Sequence, residues 1–496
     1  NIYGDINTNA KGFSNTYGPG AGVDSGVAAS HSAYGGNGSQ IIYGSLDTPT
    51  TPGSGGGGGG GGHGGGSVKL TVSSNLTVHG TILANGSNGS CADYGSWYAG
   101  GGGSGGSIWI TADSISGAGK ISADGSNGTD CYKNESGGGS GGRIALHYNS
   151  TNSLSPSQVT TMGGLGGVSW YQKGGAGTVF TKSSSQTYGD LRIDNVNTTW
   201  SSDINRYAIT PIKSTVTMDS ITFDHYARVQ NNSTITTTDL NIKNYAFFYN
   251  ENSYTTNYSN LDWAGGRIID NGGTFDLLSS GGDLYVPNGS LLEINIPRSY
   301  SNVVIDGVLA HSSNSDAEVN KLNLTVSGNF TIGSSGSINV NSKGFSNGNG
   351  PGGGLSSTNG ASFAGYGGNG STIVYGSLTE PFSLGSGGGG GGGGHGGGSV
   401  KLSITGDLIM NGSIYANGTN GYCADYGSWY AGGGGTGGSV WINASNISGS
   451  GTISASGGTG SDCYQDESGG GSGGRVALYY SDTLSIGSNQ ISAVGG

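Results

Sequence analysis

The chain is poor in most of what builds an ordinary globular domain. Only 10% of its 496 residues are charged and 32% are hydrophobic, too little for one large conventional core. Apolar residues at helical spacing are nearly absent, which excludes a helical protein and leaves many short strands joined by polar turns, an all-β chain. No apolar run approaches the roughly 20 residues of a bilayer-spanning helix. The 18 basic residues form no stripe in a chain of net charge −12, so nucleic acid is not an expected partner. That acidity suits solubility instead. The first residues carry neither an initiator Met nor a charged leader, which reads as a processed or excerpted chain.

Cysteine is scarce but regular. Cys91 and Cys131 stand 40 positions apart (131 − 91), and Cys423 and Cys463 repeat that spacing. No CxxC or His-containing ligand spacing accompanies them, which argues against zinc. Pairs of this kind point to disulfides, hence an oxidising, extracellular or cell-surface location.

What the chain has is glycine, 108 residues of it. The stretch GSGGGGGGGGHGGGSVKL begins at Gly53 and returns at Gly385. A shift of 332 positions matches residues 1–164 with 333–496 without a gap, with about 60% of the letters equal. The reading is a tandem repeat of 332 residues, one and a half periods of a longer array. Residues 1–167 form a Gly-rich unit, 168–332 a segment of ordinary composition, and 333–496 the second Gly-rich copy. A slack Gly/Ser linker is the alternative for the glycine runs.

Within each copy a Gly-rich segment runs into a strand. Four joints are read, leading to Ile41 and Ile42; to Val68, Leu70 and Val72; to Ile108 and Ile110; and to Ile144 and Leu146. In the last three, alternation places these residues on one face and Lys69, Trp109 and Ala145 on the other. The signals TILANGSNG and KISADGSNG put Ile82 and Ile121 39 positions apart (121 − 82), as in successive coils of a solenoid. On that alignment Cys91 and Cys131 follow the same landmark of neighbouring coils and are expected to bond, as are Cys423 and Cys463. The middle segment reads as strands in coils of about 20 to 25 residues, a parallel β-helix, with a β-sandwich as its rival. Glycine stretches attached to stacked coils would lie side by side as polyglycine-II-like layers joined through their backbones.

Chemistry-bearing residues are few. Asp93, Asp130 and Glu135 recur as Asp425, Asp462 and Glu467. With Arg143 or Arg475 they suggest a lyase or glycosidase site, or a Ca²⁺ site, against a plain role capping loop N–H groups. No catalytic residue is assigned, and no cofactor beyond weak Ca²⁺ candidacy. His63 and His395 stand alone in glycine and are read as pointing out of the layer. Tyr94, Trp97 and Tyr98, with Tyr426, Trp429 and Tyr430, are candidate contact aromatics for a subunit or a sugar, or simple cover for the glycine layer. Sequons occur at Asn37, Asn75, Asn85, Asn88, Asn127, Asn134, Asn149, Asn197, Asn231, Asn232, Asn257, Asn288, Asn323, Asn329, Asn369, Asn411, Asn417, Asn443 and Asn446. They suit exposed, N-glycosylated turns.

The segments GSGGGGGGGGHGGGSVKL, AGGGGSGGSIWI and ESGGGSGGRIAL resemble the glycine-rich repeats of secreted, surface-displayed β-helical proteins of the adhesin and extracellular-filament kind, over about two thirds of the chain. The glycine bundles are also similar to those of some phage tail-fibre adhesins and of a glycine-rich antifreeze protein. No functional residue carries over. The resemblance implies a non-enzymatic structural glycoprotein that associates end to end into a filament or stalk. An adhesin, a polysaccharide-acting β-helix enzyme and an ice-binding protein are the alternatives.

Overall fold

The computed structural model describes residues 1–93, 97–131, 134–167, 172–196, 207–278, 281–356, 358–370, 372–425, 429–463 and 466–496. Among them there is no α-helix; the chain is all-β, and most of its strand pairs are parallel. It forms two compact units, Asn1–Arg267 and Ile268–Gly496. The division falls inside the middle segment, so each unit holds one Gly-rich copy and part of the ordinary sequence.

In the first unit, Ser67–Thr71, Ser107–Ser116, Arg143–Asn152 and Thr178–Ser183 are successive parallel neighbours. Their register stacks Val68 on Ile108, Ile144 and Val179, and Leu70 on Ile110 and Leu146. All but Leu70 are buried. The alternation read from the sequence sets this core, each large side chain contributing about 1.5 to 3 kcal/mol when fully buried. On the other face Lys69 Nζ lies 3.8 Å from the Trp109 ring centre. A second ladder stacks Ile6, Ile82, Ile121 and Val159. The expected 39-residue step therefore aligns Ile82 with Ile121.

Two expectations fail locally. Ile41 and Ile42 belong to no strand, and Ile41 is exposed. The segment is bonded locally instead, Ser30 Oγ donating to Ile41 O and Tyr43 N–H to His31 O. Further on, Thr178–Ser183 and Asp190–Asp194 pair antiparallel through a tight connection, an interruption that no spacing in the sequence announces. Parallel stacking then resumes from Asp190–Asp194 to Val216–Asp224, Ile235–Ile242 and Thr255–Asp262, with Leu191, Ile221, Leu240 and Leu261 in line. The last two steps are 19 (240 − 221) and 21 residues (261 − 240).

The second unit repeats the first ladder. Val400, Val440 and Val476 stack, as do Leu402, Ile442 and Leu478, and Lys401 covers Trp441 at 4.1 Å. Ser337–Asn339, Ser413–Tyr415, Thr452–Ser454 and Ile491–Ser492 form another parallel run. The ten-residue strand Ser439–Ser448 pairs at its start with Ser399–Ile404 and at its end with Leu408–Met410.

Candidate functional site

The glycine runs are ordered, and their hydrogen bonds follow a period of three. In the first unit the N–H groups of Gly100, Gly103 and Gly106 donate to Ser90, Ser87 and Ala84. Those of Gly101 and Ser104 donate to Gly57 and Ser54, and those of Gly102 and Gly105 to Gly137 and Ser140. One extended stretch thus bonds to three neighbours in turn, as a three-residue-per-turn backbone must. Its carbonyls are used as well: Gly101 and Ser104 accept from Gly62 and Gly65, Gly102 from Ala29 and Gly103 from Ser126. In the second unit Gly433, Gly434, Gly435, Thr436, Gly437 and Gly438 repeat the donor pattern 332 positions on, to Gly389, Gly469, Thr419, Ser386, Ser472 and Ala416.

Such packing leaves no room for side chains. A Cβ at Gly102 would lie 2.0 Å from Ser126 O, at Gly105 2.0 Å from Ala123 O, and at Gly62 1.8 Å from Ser87 O. Where a hydroxyl does appear, it replaces a backbone acceptor: Ser54 N–H donates to Ser104 Oγ at 2.8 Å, and Ser386 N–H to Thr436 Oγ1 at 2.9 Å. His63 and His395 are exposed, directed out of the layer as their isolation suggests.

The cysteines join as Cys91–Cys131 and Cys423–Cys463, with Cα atoms 5.9 and 5.8 Å apart. In the first unit they sit on two small antiparallel hairpins at the margin of the layer, Cys91–Asp93 with Trp97–Ala99 and Asp130–Cys131 with Asn134–Glu135. Each bond closes a 40-residue step, so the Cys91→Ala, Cys131→Ala double variant is expected to lose about 2 to 4 kcal/mol of unfolding free energy in a denaturant titration.

Among the described residues the carboxylate candidates form no group with metal-ligand spacing. Asp130 faces Glu135 across one hairpin and Asp462 faces Glu467 across its counterpart. Arg143 and Arg475 bond elsewhere, to Tyr43 O and Tyr375 O. The side chains of Asp93 and Asp425 lie outside the described residues, as do Tyr94 and Tyr426 and the side chains of Trp97, Trp429 and Tyr430; Tyr98 is partly exposed. Among the described residues the one cluster with metal-ligand spacing is Asp194, Asp224 and His225, which the sequence reading missed because strand register, not sequence spacing, joins it. Asp194 is already engaged by two side chains. Arg192 Nη1 lies 2.6 Å from Asp194 Oδ2 and His225 Nδ1 2.9 Å from Asp194 Oδ1, while burial pushes the Asp194 pKa up.

Several sequon asparagines tie together segments 37 to 39 positions apart. Asn85 Oδ1 accepts from Ser122 Oγ and Asp124 N–H, both at 2.7 Å. Asn88 accepts from Asn127 N–H at 3.0 Å and Asn127 from Leu165 N–H at 2.9 Å. Asn417 receives Ser454 Oγ and Ser456 N–H as Asn85 receives its pair. These oxygens satisfy backbone donors 38 or 39 positions on, which explains Asn in the NGSNG motif without a glycan. Asn231 is fully buried, its Nδ2 donating to Thr256 Oγ1 at 3.1 Å, so a glycan there is incompatible with the fold. Asn37, Asn75, Asn149, Asn257, Asn288, Asn329, Asn369, Asn411 and Asn443 are exposed, and Asn232, Asn323 and Asn446 half-buried. Asn197 and the side chain of Asn134 lie outside the described residues. Comparison with known protein families, with curated proteins and with solved structures finds no match for this chain.

Proposed function

We propose that the chain is a structural, non-enzymatic subunit of an extracellular, glycosylated filament or stalk: a parallel β-helix of 332-residue tandem units, flanked by polyglycine-II-like layers and extended by stacking end on end. One observation carries the reading. Strands that are paired on both sides in one copy are paired on one side in the other. Ser399–Ile404 lies between Leu322–Val326 and Ser439–Ser448, whereas its counterpart Ser67–Thr71, 332 positions earlier, pairs with Ser107–Ser116 alone among the described strands. Arg143–Asn152 lies between Ser107–Ser116 and Thr178–Ser183, whereas Arg475–Leu484 pairs, among the described strands, with Ser439–Ser448 alone. Two surfaces that the fold covers internally are thus also presented bare, and an open strand edge is a template for another chain.

The open strand carries apolar groups as well. Tyr479, Tyr480 and Leu484 are 43%, 49% and 37% exposed, and Val494, beyond the strand, is 62% exposed. Continuation by a further coil, in the same chain or in a second copy, covers them. The two disulfides, one per unit, agree with an oxidising setting, and stacked coils with ordered glycine layers resist bending better than a chain of loosely linked domains. Electron microscopy of the purified protein at rising concentration is expected to show filaments, and charging the open edge through Tyr480→Lys with Leu484→Lys is expected to disperse them. Uniform single particles of the unaltered chain at every concentration would remove the proposal.

A further inference from the structure

We propose that a cavity of about 240 Å³ in the first unit, lined in part by Arg143, binds an aliphatic carboxylate. Arg143 is 7% exposed, and no carboxylate lies within ion-pair distance of it among the described residues. A guanidinium buried without a counter-ion is costly, and most buried cations are paired. Its Nε donates to Tyr43 O at 2.9 Å and its Nη1 to Thr178 Oγ1 at 3.3 Å. Both partners are neutral, and Nη2 has none among the described residues. Burial lowers its pKa only to about 10, so it carries its charge at neutral pH.

The rest of the cavity states the ligand's chemistry. Lys213 also lines it, although its Nζ donates to Gln40 O at 3.2 Å and lies 5.1 Å from the Tyr34 ring centre, neither of which is part of the lining. No Asp or Glu is among the lining residues, although acids outnumber bases 30 to 18 in the chain. The remaining walls are largely apolar, with Ile193, Ile212 and Val216 among them. The hydroxyl of Thr210 is spent on Ala176 O, which leaves few free partners for a polyhydroxylated sugar. A guanidinium beside largely apolar walls fits a carboxylate head with a short hydrocarbon tail, the head taking the free Nη2 in a charge-assisted bond. A compact, fully hydrated phosphate would leave the apolar walls empty.

The site is independent of filament formation and is tested on the dispersed chain. Calorimetric titration with hexanoate is expected to show one saturable site per chain, with 1-hexanol, phosphate and glucuronate each weaker by about tenfold or more. Arg143→Met, which keeps the apolar stem, is expected to weaken hexanoate by about tenfold or more. Ile212→Trp, filling the cavity from its apolar side, should do the same and decides the matter if Arg143→Met does not fold. No saturable hexanoate binding to the unaltered chain, equal binding of phosphate or glucuronate, or unchanged binding in folded Ile212→Trp would each overturn the proposal.

Discussion

Alanine in place of Gly103 is expected to lower the stability of the first unit by about 3 kcal/mol, the upper end of what overpacking normally costs. The new Cβ would lie 2.1 Å from His63 O and 2.6 Å from His63 C. Both are backbone atoms, held in place by Ser87 N–H, which donates to His63 O at 2.9 Å, and by the layer around them. No rotamer change relieves the clash. Gly435→Ala makes the same test in the second unit, where His395 O would lie 2.1 Å away. Gly4→Ala, with nothing within 4 Å of its new Cβ, is the control and should fall within about 0.5 kcal/mol of the unaltered protein. A slack linker predicts the opposite sign, because alanine restricts the unfolded chain and stabilises by about 0.4 to 1 kcal/mol wherever it fits. Urea titration of the three variants separates the readings, and an unchanged midpoint for Gly103→Ala would return the glycine runs to linkers.

How much of this was legible in the sequence depended on whether the signal was periodic. Strand alternation at Val68, Leu70, Ile108, Ile110, Ile144 and Leu146 gave the buried face, because in a pleated strand the side-chain direction follows from counting alone. The 40-residue cysteine step gave the pairings, because parallel strands in register at Ile82 and Ile121 bring the positions that follow them within bonding reach. Glycine's role was legible only in outline. The run length suggested packing, but which N–H meets which carbonyl depends on neighbours brought in from residues 24–29, 84–90 and 137–140. What stayed hidden was contact without period: the reversal after Ser183, the Asp194 cluster, the oxygen ladder of Asn85, Asn88 and Asn127, and the unpaired charge of Arg143. Each needs strand register or a loop path, and a single sequence states neither.

A phenylalanine at position 31 is expected to abolish most of the acid sensitivity of the first unit. His31 is fully buried, its ring centre 4.5 Å from that of Tyr43. Nδ1 lies 2.8 Å from Gly105 O, while Nε2 has no partner among the described residues. Burial, and then the neighbouring Arg143 charge, hold its pKa at about 3 against an ordinary 6.5. Because the folded value is the lower, the unfolded chain takes up the proton first. The penalty is therefore absent above pH 6.5 and grows as the pH falls toward 3, reaching on the order of 4 kcal/mol. The second copy shows what the site accepts instead: Phe363 stands at the equivalent position, its ring centre 4.7 Å from that of Tyr375. His31→Phe gives up the bond to Gly105 O, worth about 1 kcal/mol, and removes the orphaned Nε2, so stability at pH 7 should change little while the slope between pH 6 and 4 flattens. His311, held at about 4 chiefly by burial and accepting Ser399 N–H on Nε2, lies in the other unit and should keep its acid response in the same protein. Hydrogen exchange resolved by segment at both pH values distinguishes the two units. Equal loss of protection at pH 4 in residues 100–147 of the variant and the unaltered chain would show that His31 is not the group that titrates.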